Sequence, residues 1–223
     1  MQKESPAGWL RRESILDVNR ILNTLDEMFP DAHCELNHKN AYELCVAVVL
    51  SAQTTDVSVN KATPALFERY PTIDDLAAAD QSEVEQYIKK IGLYRSKAKN
   101  IIGLAQYAKM HYNSQIPNTM EELVQMPGVG RKSANVVLSV CYNIPAFAVD
   151  THVERISKRL GFARKNDTVL DVEKKLMKKI PKSRWNEMHH KFIFFGRYFC
   201  TAKKPNCSEC SLKDICKEEN KNL

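Results

Sequence analysis

The sequence predicts an all-α fold. Apolar residues recur at three- and four-residue intervals through most long segments, period-two alternation is nearly absent, and Pro, Gly, Asn and Asp punctuate the periodic stretches. A chain of 223 residues, 43% of them apolar, has material for one large core or two small ones.

Taken in order, residues 1–12 mix charge, Pro6 and Gly8 around Trp9 and are expected to fray. From Ser14, the residues Ile15, Val18, Ile21, Leu22, Leu25 and Met28 form a helical stripe that Pro30-Asp31 closes. Asn40 is placed to cap a second helix whose Tyr42, Leu44, Cys45, Val48, Val49 and Leu50 are apolar nearly all round, which puts it inside a bundle. The polar run Ser51-Ala52-Gln53-Thr54-Thr55-Asp56 follows, with Asp56 as the expected cap of a helix through Val57, Val59 and Ala62. Such a run is either a capped connection or a loop that presents Gln53 to a ligand. Helical patterns continue over 64–70, 73–79 and 81–91, broken at Pro71 and Asp80, and resume over 99–112. Residues 117–124 and 131–142 are the expected arms of a hairpin, ended by Asn143-Ile144-Pro145. Asp150-Thr151 caps a helix through Val153, Ile156 and Leu160, and helices over 169–180 and 183–195 complete the series.

The hairpin organises the rest. Pro127 stops the first arm, Gly128 and Gly130 accept backbone angles that a side chain would forbid, and the next helix starts near Arg131. The N–H groups at that start, with the positive end of the helix dipole and the Arg131 cation, make a site for a phosphate of any nucleotide. DNA or RNA backbone is the natural ligand. Lys132, beside this turn and a packed core, reads alone as an ordinary surface lysine. Held near a nucleotide, its amine in the neutral form can attack the sugar's anomeric carbon, displace the base and form a Schiff base. That attack passes through an electron-poor sugar, which a fixed carboxylate such as Asp150 can stabilise while still capping its helix. The stretch Ile91-Gly92-Leu93-Tyr94-Arg95-Ser96-Lys97-Ala98 echoes residues 127–134, a weak internal repeat of two reversals with similar chemistry.

Cys200, Cys207, Cys210 and Cys216 stand as Cys-x6-Cys-x2-Cys-x5-Cys, close enough for four thiolates to surround one centre. Zinc and a four-iron cluster both accept that set, and the spacing does not choose between them. Such a centre would staple a tail of little apolar content, so its first role is structural. Lys203 and Lys204 in the x6 segment, with Arg197 upstream, make a basic loop suited to phosphates, or else a solvated charge run. Cys34, Cys45 and Cys141 read as core residues.

A formal charge of +6 and a pI near 8.9 favour a polyanionic partner. The longest apolar run, Leu44 to Leu50, is too short to cross a bilayer, and no leader opens the chain, so a soluble cytoplasmic protein is expected. The cysteine distribution does not match a secreted disulfide framework.

The motif Leu-x-x-Met-Pro-Gly-Val-Gly-Arg-Lys-Ser-Ala-Asn-Val-Val, the Ala-Val-Asp-Thr-His at 148–152 and the cysteine quartet resemble the endonuclease III family of helix-hairpin-helix DNA glycosylases, over about residues 15–217. The resemblance implies two helical domains with a cleft between them that holds the active site. A six-helix domain over 31–144 would contain the helix-hairpin-helix, and residues 1–30 plus 145–223 would form the domain with a C-terminal [4Fe-4S] cluster loop. It favours iron over zinc at Cys200, Cys207, Cys210 and Cys216. It makes Lys132 the nucleophile and Asp150 its acidic partner in a bifunctional glycosylase/AP lyase. That enzyme would act as a monomer on double-stranded DNA bearing an oxidised pyrimidine or an abasic site, in the cytoplasm and at the nucleoid in a bacterium. Gly128, Val129 and Gly130 would bind phosphate through their N–H groups, and Gln53 and Leu93 would fill the gap left by an extruded nucleotide. Ser133 stands where the family often has threonine. Adenine-removing mismatch glycosylases share hairpin, aspartate and cluster but lack the lysine that Lys132 supplies here. A non-catalytic DNA-binding or redox-sensing protein built on the same parts would bind lesion DNA without cutting it.

Overall fold

The computed structural model describes the backbone of residues 6–223 and the side chains of residues 17–223. All regular structure among the described residues is helical, as expected. None of these helices is long and apolar enough to cross a membrane. The chain forms two compact units, Cys34–Ala148 and Met1–His33 with Val149–Leu223.

In the first unit, α2 (Ala41–Leu50) is the core helix, with every residue from Tyr42 to Leu50 buried. Asn40 caps it by accepting the Glu43 N–H, and the Glu43 carboxylate accepts the Lys39 N–H at 2.8 Å, so two donors at the helix start are satisfied. Each fully buried Val or Leu contributes about 1.5–3 kcal/mol, which is why a helix with no polar face is stable only here. Around it lie α3 (Asp56–Arg69), α4 (Ile73–Ala77), α5 (Gln81–Ile88), α6 (Tyr94–Tyr112), α7 (Met120–Leu123) and α8 (Arg131–Cys141). Of these, α3, α6 and α8 pack directly on α2.

Several boundaries differ from the sequence reading. The cap of α3 is Thr55, whose hydroxyl accepts the Ser58 N–H, and Asp56 lies in the first turn, where its charge favours the helix dipole. That helix runs unbroken through Pro64. Residues 94–98, expected in a reversal, already belong to α6. The first hairpin arm shrinks to α7, one turn long, because Thr119 caps it from an extended conformation and turn bonds close the chain from Gln125 onward.

In the second unit, α1 (Pro6–Met28) begins ahead of Ser14; residues 1–5 and the side chains of residues 6–16, Trp9 and Ile15 among them, lie outside the described set. It is joined by α9 (Thr151–Arg159), α10 (Val169–Lys179) and α11 (Trp185–Phe194). The segment expected as one helix over 183–195 divides into a 3-10 turn, α11 and a π segment, Phe195–Phe199. Asp26 on α1 accepts hydrogen bonds at 2.6 Å from both Arg184 and Lys191. Burial alone would raise the Asp26 pKa, but these two cations hold it below the usual carboxylate range.

Candidate nucleic-acid interface and metal centre

Gly128 takes φ 79°, and a Cβ there would lie 3.0 Å from Asn100 Cβ and from Val49 Cγ1. The position therefore needs glycine twice over, for its backbone angle and for the close seat of the turn on α6 and α2. Pro127 packs on Gly103 of α6, and Val129 is buried. The Val129 N–H donates to the Met126 carbonyl at 3.0 Å, closing the turn. That corrects the expectation that this N–H faces a phosphate: the hydrogen bond commits it inside the hairpin. Gly130 is the N-cap of α8 and has no side chain to offer, so the helix opens without the usual side-chain acceptor, the condition that favours an incoming anion.

Arg131 and Lys132 occupy the outer side of the first turn of α8 and are exposed. The sequence position placed Lys132 beside the core, but the buried face of α8 begins only at Ala134. Asn135, one turn along, is buried and donates to the Phe147 carbonyl at 3.2 Å, which fixes the chain leading toward Asp150. Cys45 is buried, and burial pushes its thiol up to about 12 and that of Cys141 to about 11, so neither is a ready thiolate.

Asp150 lies in the other unit, half-buried at the start of α9. Its Oδ1 accepts both the His152 and the Val153 N–H groups at 2.8 Å. Both cap bonds fall on one oxygen, which leaves the second oxygen for other chemistry.

Gln53 and Leu93 are exposed and adopt φ 54° and φ 59°. Asn113, Ser114 and Asn143 also adopt positive φ, but two of these are asparagine, which tolerates it. For glutamine and leucine the left-handed region costs about 1–2 kcal/mol each, and Leu93 is 66% exposed despite being apolar. Two strained, outward residues thus stand in the two loops that the sequence reading singled out.

The four cysteines are free and half-buried, and all line one cavity together with Phe195, Phe199 and Arg159. Among the described residues no group of three or more His, Cys, Asp or Glu side chains is placed to hold a single metal ion. Four thiols lining one cavity suit a centre held by thiolates. Arg159 supports an anionic ligand set: its Nη1 donates to Cys200 Sγ at 3.3 Å and to the Thr201 carbonyl at 2.9 Å. Burial raises the Cys200 pKa, and this guanidinium opposes it. Arg155 donates to the carbonyls of Gly196 at 2.6 Å and Cys200 at 3.2 Å. These two arginines, missed in the sequence, hold the entry to the cysteine loop; their i,i+4 spacing on α9 was the available signal. Arg197 is half-buried in the π segment, and Lys203 is exposed in a loop pinned by the Thr201 hydroxyl on the Lys204 carbonyl.

A glycine turn feeding a helix that opens without a side-chain cap, and a four-thiol loop on a second helical unit, define an all-helical protein with a helix-hairpin-helix and a candidate thiolate centre. Residues 46–182 match the family profile of the HhH-GPD superfamily base excision DNA repair protein, and residues 200–216 that of the iron-sulfur binding domain of endonuclease III. Endonuclease III of Bacillus subtilis strain 168 is 54% identical over 93% of this chain and 95% of its own length. That of Rickettsia felis is 46% identical over 91% and 95%. A solved trapped endonuclease III-DNA covalent intermediate superposes with a TM-score of 0.89 and 54% identity, covering 92% of this chain and 96% of that one. The chain belongs to the endonuclease III family and carries that family's [4Fe-4S] cluster.

Proposed function

We propose that this chain removes oxidised pyrimidines from duplex DNA and then cuts the strand at the resulting abasic sugar, with Lys132 as nucleophile. The class, a base excision repair glycosylase and AP lyase, is the family's. The observation that carries the residue assignment is the place of Lys132: exposed, in the first turn of a helix that opens without a side-chain cap, directly after the glycine turn. Gly128, Gly130 and the start of α8 grip phosphate, and Arg131 adds charge to the same spot. The neutral Lys132 amine attacks C1′ of the damaged nucleotide, the base leaves with its bonding electrons, and the free oxygen of Asp150 offsets the positive charge that develops on the sugar. The amine gives up a proton and its lone pair opens the sugar ring, the C1′–O4′ bond breaking as O4′ takes up a proton, to leave an iminium at C1′. Loss of a proton from C2′ then breaks the C3′–O bond, the 3′ phosphate leaving with its electrons, and hydrolysis of the imine by water releases the lysine. Cys200, Cys207, Cys210 and Cys216 hold the cluster, whose chemistry when bound is that of a rigid cross-link for the loop bearing Lys203. Arg197 and Lys203 add phosphate contacts, and the enzyme works as a cytoplasmic monomer, at the nucleoid if the source is bacterial.

Borohydride reduction in the presence of abasic-site duplex tests the assignment. The wild-type protein forms a stable covalent adduct and Lys132→Ala forms none. An undiminished adduct in the variant would reject Lys132.

A further inference from the structure

Lys97 is 5% exposed, which is rare for a lysine, and it has no part in the chemistry above. Its Nζ donates to the Leu50 carbonyl at 2.9 Å and to Thr54 Oγ1 at 2.8 Å. Its backbone N–H makes the opening bond of α6, to the Leu93 carbonyl at 3.0 Å, as any residue at that position would. Its side chain therefore ties the first turn of α6, whose N-cap is Leu93, to the last residue of α2 and to Thr54 beside Gln53. The same helix, α6, seats the hairpin at Asn100 and Gly103. Burying an ammonium is unfavourable, and burial lowers the Lys97 pKa, so a core that needed only to fold would be served by an apolar side chain of the same length.

We propose that Lys97 is a positioning residue that locks the Gln53 loop and the Leu93 turn into a single rigid pair of wedges, so that both enter the duplex together when a nucleotide is extruded. The proposal rests on the reading of Gln53 and Leu93 as wedges. Lys97→Met keeps the stem and removes the three N–H donors; Thr54→Val removes one of the two acceptors and leaves the lysine.

Each variant is compared with the wild type in three measurements: single-turnover base removal from lesion duplex, strand cutting at a preformed abasic site, and fluorescence of 2-aminopurine placed opposite the lesion, which rises when stacking is lost. Misplacing a wedge by about 1 Å costs up to about 100-fold, so Lys97→Met is expected to slow base removal by about 10–100-fold and to flatten the fluorescence rise. Cutting at an abasic site, where no base has to be drawn out, falls by less than about 3-fold. Thr54→Val gives the same pattern at about 3–10-fold.

A purely structural lysine would lower both reactions together, in step with the folded fraction measured by circular dichroism, and that result overturns the proposal. If Lys97→Met does not fold, the Thr54→Val pattern decides by the same criterion. Wild-type fluorescence and base removal in both variants also overturn it, while the wild-type borohydride adduct would still stand. Absence of that adduct in the wild type would instead overturn the repair reading, and the proposal with it.

Discussion

At Gly92-Leu93 the chain enters α6 through an ordinary glycine and a left-handed, exposed leucine; at Gly128-Val129 it enters α8 through a left-handed, tightly packed glycine and a buried valine. The two segments share a residue pattern and use it in opposite ways. Moving the positive φ by one residue exchanges which member of the pair faces out. The turn before α8 uses glycine's freedom at positive φ and hides its apolar residue. The turn before α6 leaves its glycine loose and projects the apolar side chain, accepting about 1–2 kcal/mol of left-handed strain in doing so.

Substitutions at the paired positions should therefore differ in both size and kind. The largest effect is expected from Gly128→Ala, where left-handed strain adds to overpacking against Asn100 and Val49. Together these should destabilise the protein by about 2–4 kcal/mol in urea unfolding, and a loss under about 1 kcal/mol would mean that the turn relaxes freely. Leu93→Gly comes next and acts on function instead of fold. Base removal should fall by about tenfold, while stability stays level or rises by about 0.5 kcal/mol, since strain relief narrowly exceeds the added chain entropy of glycine. A parallel loss of stability and activity would show Leu93 to be an ordinary packing residue. The smallest effect is Gly92→Ala: no atom lies within 4 Å of the added Cβ. Its melting curve should match the wild type within about 0.5 kcal/mol, and a larger drop would erase the distinction between the two turns.

Much of the framework was legible from residue type and short-range spacing. Asn40 caps α2 and Asp150 caps α9 as read, because a capping side chain bonds within three residues of itself. Less legible were features that depend on distant neighbours. The α3 cap fell one residue from its expected place, since Thr55 and Asp56 are both good caps and only the backbone angles decide between them. The Val129 N–H was assigned to a ligand that its own turn replaces, and Lys132 was set against a core whose edge lies two residues further on. Lys97 left no local trace: it stands among Arg95, Lys99 and other polar residues on a helix start.

By itself, the amino-acid sequence determined the all-helical character, the glycine turn with a lysine just beyond it, and four thiols near enough in the chain to share one centre. These follow from interactions that close within one or two turns of helix. Only the tertiary structure decided which glycine turns left-handed, which apolar residue faces out, and that Lys97 reaches across 47 residues to Leu50. Those outcomes depend on which surfaces meet once α2, α6 and the hairpin share a core, and a backbone angle or a buried amine is stable only where that packing has already excluded its alternatives.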